Sequence, residues 1–375
     1  MSDYQIRRYD TSGNLLDVIS GSNEADYYSK RFARLEYVRA ENSMGGMNLL
    51  VPMGDYQYED FSTNQILEIW FEVGGSLQLL NETAYFLRDW ELQSFGGEQL
   101  INLFAYDANW LLASRIVAAN AGSAQAEMTD YADDMMKAIV EDQLGATAVA
   151  GRDLSSWLTI AGNLSDSQSI SKAFSRRNLL TVCQEIADAG TSAGTRTYFD
   201  VVRTGIAKFA FRTYTGQRGQ DHGRSSGDIR HVSEQAGNFD DIKFGTYHSE
   251  EKNYIYAGGQ GEEDAREIVE VSDSDRIADG YPFNRCEGWV DARHCDTTAL
   301  VTAEANAGLA EGEPKQIMTG RIIDTDDMKY AVHYGFGDIV SAEAFGFNVD
   351  CHVSQVKEIV DKNGVSRDIR LRGVL

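Results

Sequence analysis

Apolar and polar residues alternate with a period of two over much of the first 115 positions. Leu67, Ile69, Phe71 and Val73 are separated by Glu68, Trp70 and Glu72, a spacing that turns one face of a half-buried strand inward and the other outward. Gly74-Gly75 breaks the run, and Leu77, Leu79, Tyr85 and Leu87 resume it. Upstream, Tyr4 to Tyr9 enters the turn-forming stretch Asp10-Thr11-Ser12-Gly13-Asn14 and leaves through Leu15 to Ile19, the signature of a hairpin. The pattern predicts an antiparallel sheet or small barrel. Asp107 to Arg115 then has apolar residues at helical spacing, with Asp107 placed to cap a short helix that closes the barrel.

The period changes in the middle of the chain. From Ala124 to Leu144, Met128, Tyr131, Met135, Ile139 and Leu144 recur at threes, fours and one five, with Glu127, Asp130, Asp133 and Asp134 between them, which predicts an amphipathic helix ended by Gly145. Its methionines belong to a core face rather than a partner groove. A polar loop over 162–171 follows. Arg177 to Ala189 predicts a second helix, capped by Gly190, with Cys183 on its core side. Two alternating runs, Tyr198 to Arg203 and Lys208 to Tyr214, flank a Thr204-Gly205 turn, so this region reads as a compact α+β unit.

Gly216 to Arg230 has almost no apolar residue and predicts an exposed, mobile loop; Asp221 and Asp228 offset its arginines. Beyond it, Tyr254, Ile255 and Tyr256 lead into the Gly258-Gly259-Gln260-Gly261 turn, an acidic segment, and the aromatic strand that holds Trp289. Thr298 to Leu309 is alanine-rich and predicts a short helix. Strand patterns return at 338–343, 349–353 and 356–360, and Asn363-Gly364 is the strongest hairpin signal in the chain. The expected fold is α+β and mainly β. Two barrel-like β domains, 1–120 and 236–375, flank a helix-containing unit at 121–235.

Composition narrows the function classes. With 34 basic and 58 acidic residues the chain carries a net charge of −24, which repels nucleic-acid phosphates in the absence of a basic patch longer than Ser175-Arg176-Arg177. DNA is therefore not expected as a held ligand, although an acidic wall suits DNA in transit. The start MSDYQIRRYD has no apolar signal core, and no run of 18 apolar residues exists, so no membrane partner is expected. Four cysteines, 183, 286, 295 and 351, include no CxxC pair, which argues against a disulfide framework and for reduced cytoplasmic folding.

Candidate chemistry is sparse. The sequence has no GxSxG, HExxH or GxxxxGK[ST] motif. Gly258-Gly259-Gln260-Gly261 lacks the spacing and the following lysine of a phosphate cradle, so it reads as a tight turn. Cys286, His294, Cys295, Cys351 and His352 lack the spacing of a zinc site, and adjacent strand residues such as Cys351 and His352 point to opposite faces. No catalytic residue, metal or cofactor is assigned.

Several segments together carry a likeness. They are Tyr37-Val38-Arg39-Ala40-Glu41-Asn42 with Gly46 and Leu49-Leu50-Val51-Pro52, Leu111 to Val117, Gly151-Arg152-Asp153-Leu154, Lys252-Asn253-Tyr254-Ile255-Tyr256-Ala257-Gly258-Gly259-Gln260-Gly261, and Arg285 to Arg293. In that order, over roughly residues 30 to 370, the chain resembles the ReqiPepy-type siphophage tail protein family of tail-tip and hub-like virion components. The resemblance implies a homotrimer whose six barrel-like domains match a six-fold tail. It also implies partners: a distal tail or tail tube protein on one side, and a fibre, spike or tape measure protein on the other. It places the protein at the tail tip of the virion after assembly in the host cytoplasm. The residues expected to define fold and assembly are Arg39, Asn253, Gly258, Gly259, Gly261, Trp289, Asp291 and Arg293, the last two paired with neighbours. The rival readings are a tail-tip envelope-degrading enzyme and a receptor-binding protein that meets saccharide through Trp289, Tyr254, Tyr256 and Tyr281.

Overall fold

The computed structural model describes residues 4–21, 31–95, 97–118, 126–174, 176–262, 265–293, 295 and 297–373. Strands dominate, as the alternating pattern predicts, and fifteen of them form one sheet. Its main path runs Phe239–Tyr247, Lys315–Ile322, Gly364–Gly373, Phe347–Asp361, Arg34–Ala40, Gly46–Pro52, Glu98–Asp107, Tyr85–Phe95, Ile66–Val73, Tyr4–Tyr9 and Leu15–Ser20. The joint between the two ends of the chain is the antiparallel pairing of Gln355–Asp361 with Arg34–Ala40. One apolar core lies along both parts, with Ile6, Leu35, Leu49 and Leu103 from the first, and Val340, Val353, Val356 and Leu371 from the second, all fully buried.

The predicted hairpins form, at Tyr4–Tyr9 with Leu15–Ser20, at Thr197–Gly205 with Lys208–Thr215, and around Asn363-Gly364, where Gly364 takes a φ of +115°. The segments at 349–353 and 356–360 are one strand, Phe347–Asp361, and a register shift between Val353 and Gln355 lets it keep pairing on both sides. Alternation misleads at Glu68. It belongs to the predicted outward face but is fully buried, because Arg203 Nε donates to its Oε1 at 2.8 Å and Trp70 Nε1 donates to its Oε2 at 2.9 Å.

Two helices, Ala132–Leu144 and Leu179–Ser192, pack together over a second core. The first is shorter than the spacing predicts. Residues 126–131 form a strand antiparallel to Ser169–Phe174, so Met128 and Tyr131 precede the helix, while Gly145 ends it as expected. Asp133 and Asp134 do not face water either. They are buried, sharing Lys137 Nζ at 3.4 and 2.9 Å and accepting the Leu164, Ser165 and Ser167 amides of the polar loop. In the second helix Asn178 is the cap, its side chain accepting from Leu180 N at 3.0 Å and Thr181 N at 3.3 Å. Gly190, expected as a terminator, lies inside the helix: a Cβ there would stand 2.7 Å from the Ala132 Cβ, so the residue permits the close approach of the two helices.

Two further expectations change. Asp107 ends the Glu98–Asp107 strand rather than capping the short Trp110–Ala113 helix, whose cap position is Asn109. The 216–230 stretch is not a free loop. Asp221–His222 joins the sheet parallel to Ile339–Val340, Gln220 N donates to Asp338 Oδ1 at 2.6 Å, and the Arg218 side chain turns into the interior.

A third unit stands on the chain between Tyr247 and Lys315. Strands Tyr254–Gly258, Ile268–Ser272 and Glu287–Asp291 form a small sheet, and helix Thr298–Glu311 covers one of its faces over a core of Ile255, Ala257, Val301 and Ala305.

Candidate assembly site

The eight residues expected to define fold and assembly fall into two places. Arg39 sits in the large sheet, fully buried, where the strand Arg34–Ala40 passes beneath the helical unit. Its Nη1 donates to Asp107 Oδ2 at 2.6 Å and its Nη2 to Asp200 Oδ2 at 2.5 Å. Arg218 Nη2 donates to the same Asp200 oxygen at 2.5 Å and its Nη1 to the Phe336 carbonyl at 3.1 Å. Asn109 completes the set, donating to Asp200 Oδ1 at 3.2 Å and to the Ser43 carbonyl at 2.8 Å while accepting from Val201 N at 2.9 Å. The Phe336 ring lies near both guanidinium groups, 5.5 Å from Arg39 and 4.6 Å from Arg218. Residues from five separate stretches of chain thus meet in one buried, hydrogen-bonded cluster.

Electrostatics follow from that geometry. Burial pushes the Asp200 carboxyl up, but Arg39 and Arg218 together outweigh it and hold it below its ordinary value. Burial also raises Asp107, and its single arginine does not fully reverse the shift. The cluster connects the sheet strands Arg34–Ala40 and Glu98–Asp107 to Asp200 of the Thr197–Gly205 strand and to Arg218.

Two residues after Arg39, burial pushes the Glu41 carboxyl up to about 7 despite Arg372, Arg218 and Arg196 nearby, and its Oε1 has no hydrogen-bond partner. A carboxyl raised above its unfolded value contributes stability at low pH that is lost as pH rises through the folded value. Wild-type protein is therefore expected to lose stability relative to Glu41→Gln between pH 5 and pH 8. Denaturant melts of both proteins at the two pH values check this; parallel curves contradict it.

The other seven residues lie in the small three-stranded unit. Asn253 is fully buried and ties its entry: Nδ2 donates to the Asn284 carbonyl at 2.7 Å and Oδ1 accepts from Cys286 N at 2.9 Å. A Cβ on Gly258 would stand 2.5 Å from the Trp289 ring, and one on Gly259 would stand 2.8 Å from Val301. Gly261 has a φ of +105° with the Ala265 carbonyl 2.3 Å from where its Cβ would be. The three glycines thus stand where a side chain would collide or a positive φ is required; residues 263 and 264 of the acidic segment lie outside the described residues.

Arg266 organises the outer face. Its guanidinium lies 5.0 Å from the Trp289 ring, donates to Asp291 Oδ1 at 2.6 Å and reaches the Gly258 carbonyl at 2.9 Å. Arg293 Nε also donates to Asp291 Oδ1, at 3.1 Å, so these two residues pair with each other. Burial raises the Asp291 carboxyl and the two arginines bring it below its ordinary value. On the same face Arg285 stacks 3.6 Å from the Tyr254 ring and donates to the Tyr256 hydroxyl at 3.0 Å.

Sequence reasoning missed Asp107 as an ion partner, and Asp200, Arg218 and Arg266 altogether. The available signal is one charged residue inside an apolar strand, as in Tyr198-Phe199-Asp200-Val201-Val202, which marks burial without naming the partner. His294 lies outside the described residues. Cys183, Cys286, Cys295 and Cys351 are free thiols, and among the described residues no group of histidines, cysteines and carboxylates could hold a metal ion. Among those residues no helix is long and apolar enough to cross a membrane.

Comparison with known proteins gives the context. A family model described as Siphovirus ReqiPepy6 Gp37-like protein matches residues 29–371. No curated protein matches the sequence. Among solved structures, the 43 kDa tail protein of prophage MuSo2 from Shewanella oneidensis superposes with a TM-score of 0.60 at 8% identity, over 99% of this chain and 98% of that one. A tail protein from Neisseria meningitidis MC58 gives 0.57 at 12% identity, over 98% and 96%. Prophage tail protein gp18 from Listeria monocytogenes EGD-e gives 0.54 at 10%, over 98% and 94%. At these identities the likeness is one of fold.

Proposed function

Because the chain belongs to the Siphovirus ReqiPepy6 Gp37-like protein family, we propose that it is a structural virion protein, the central hub at the distal tip of a long non-contractile tail. Three copies form a ring that joins the tail tube or distal tail ring to a central spike or fibres. The observation that carries this reading is the end-to-end match of its fold to phage tail proteins, with no part of either chain left over beyond a few per cent.

Among the described residues, the two ends of the large sheet's main path support a ring; beyond Leu15–Ser20 lies only the bridge from Ser20 to Arg31. Its last strands on the main path are Phe239–Tyr247 and Leu15–Ser20, and an exposed edge needs covering. At the second edge Leu15 and Leu16 are exposed, and Ile206 is exposed beside them, its side chain 3.1 Å from where a Cβ on Gly13 would be. Subunits arranged about a three-fold axis would bury this apolar edge against a neighbour. A lumen lined by a chain of charge −24 would let DNA pass without holding it.

Leu15→Asp with Leu16→Asp is expected to leave the monomer folded and abolish the trimer, because both side chains already face solvent in the single chain. Size-exclusion chromatography with light scattering checks it; a trimer of unchanged strength places the subunit contact elsewhere. Immunogold labelling of intact virions tests the location. Label at one tail end, with no clearing by the purified protein on peptidoglycan or polysaccharide zymograms, is the expected result. Label along the tube or on the capsid would refute the hub, and clearing would favour an envelope-degrading enzyme.

A further inference from the structure

The small sheet has an edge that no described part of the chain covers. Glu287–Asp291 runs parallel to Tyr254–Gly258 and is the last strand of its sheet. Tyr254 N donates to the Cys286 carbonyl at 3.1 Å, and Ala292 N donates to the Gly258 carbonyl at 2.8 Å. Alternation along the strand then turns the main-chain groups of Gly288 and Val290 toward Tyr254–Gly258, and those of Glu287, Trp289 and Asp291 outward.

A groove lies along this edge. Helix Thr298–Glu311 packs over the other two strands and only grazes the third. That offset leaves a cleft of about 310 Å³, with Tyr247, Trp289, the carboxylates of Glu250, Glu311 and Glu313, and two lysines, Lys252 and Lys315, among its walls. Trp289 and Tyr247 are each 55% exposed, so two aromatic surfaces stand ready for an apolar side chain. The surroundings are acidic. Residues 250–313 hold sixteen Asp and Glu against five Lys and Arg, a net −11 of the chain's −24.

We propose that the Glu287–Asp291 edge is a docking site for an extended, basic segment of a partner protein, which joins the small sheet as a fourth strand. Outward main-chain groups of Glu287, Trp289 and Asp291 supply the ladder. One alternate set of partner side chains is apolar and lies between Trp289 and Tyr247. The other is lysine or arginine and meets Glu250, Glu311 and Glu313. A second copy of this chain does not suit the site, because its equivalent edge would set Glu250, Glu311 and Glu313 of one acidic unit against those of another. The inference stands on the small unit itself and holds whether or not the protein is a tail hub.

The test uses the full chain and a fluorescein-labelled short peptide of alternating valine and lysine, read by fluorescence anisotropy. Saturable binding is expected. It falls about tenfold when alternate peptide amides are N-methylated, as loss of one or two main-chain hydrogen bonds implies. Glu287→Pro removes an outward N–H at the first residue of the strand, a change that edge strands tolerate, and weakens binding with an unchanged circular dichroism spectrum. Glu311→Lys with Glu313→Lys leaves the strand intact and transfers preference to a valine–glutamate peptide. Absence of binding, equal binding of the lysine and glutamate peptides by the wild type, or undiminished binding of the N-methylated peptide would each overturn the proposal.

Discussion

Arg39→Met is expected to destabilise the protein by about 3–5 kcal/mol, the cost of leaving a buried charge without its partner. Methionine fills most of the arginine volume, so packing changes little and the loss is electrostatic. Asp200 keeps Arg218 at 2.5 Å and Asn109 at 3.2 Å. Asp107 keeps the Asn109 amide at 3.1 Å but loses its cation. It is already raised by burial, and without Arg39 its folded value rises further. A carboxyl raised in the folded state contributes stability at low pH that is lost as pH rises. The deficit of Arg39→Met is therefore larger at pH 8 than at pH 4.5. Urea unfolding at both values measures it, and a deficit independent of pH would mean that Arg39 acts by packing alone.

Gly261→Ala has the second largest expected effect, about 3 kcal/mol, and it is local. A φ of +105° is poorly accessible to alanine, and the new methyl would lie 2.3 Å from the Ala265 carbonyl carbon–oxygen dipole's oxygen and 2.8 Å from the Arg266 Cα. The backbone of 261–266 must move, and Arg266 loses its reach to Trp289 and Asp291. The small unit has its own core of few residues, separate from the other two cores, so it opens without them. Hydrogen exchange is expected to accelerate over 254–291 while strands such as Gly46–Pro52 and Phe347–Asp361 keep their protection. Uniform acceleration over the whole chain would show that the unit is not an independent element.

Much of this architecture is legible in the sequence where one physical signal dominates. Alternation finds Ile66–Val73, and the Asn363-Gly364 step finds the last hairpin, since a tight turn there needs a residue at positive φ. Two signals of equal weight mislead. Met128, Tyr131 and Met135 are spaced as on a helix, yet the strand Ala126–Tyr131 runs straight into the helix at Ala132, and side-chain spacing does not reveal that change of backbone. Gly190 carries the composition of a helix end but serves as a contact surface, which depends on Ala132 and Thr197 arriving opposite it.

The assembly residues divide in the same way. Gly258, Gly259 and Gly261 stand out because three of four successive residues are glycine. The role of Arg39 is hidden, because Asp107 and Asp200 lie 68 and 161 residues away and only the fold brings them to it. The 216–230 stretch is hidden for the opposite reason. It lacks apolar residues, so it reads as solvent-exposed, whereas its anchors are the Arg218 guanidinium and the carboxylate of Asp338.

The measurement that tests the central claim most directly is the native mass of the purified protein at micromolar concentration. A hub subunit is expected at three times the 41.6 kDa chain mass, and the same species should dissociate to single chains in Leu15→Asp with Leu16→Asp. A stable single chain of 41.6 kDa, unchanged by concentration, would contradict it.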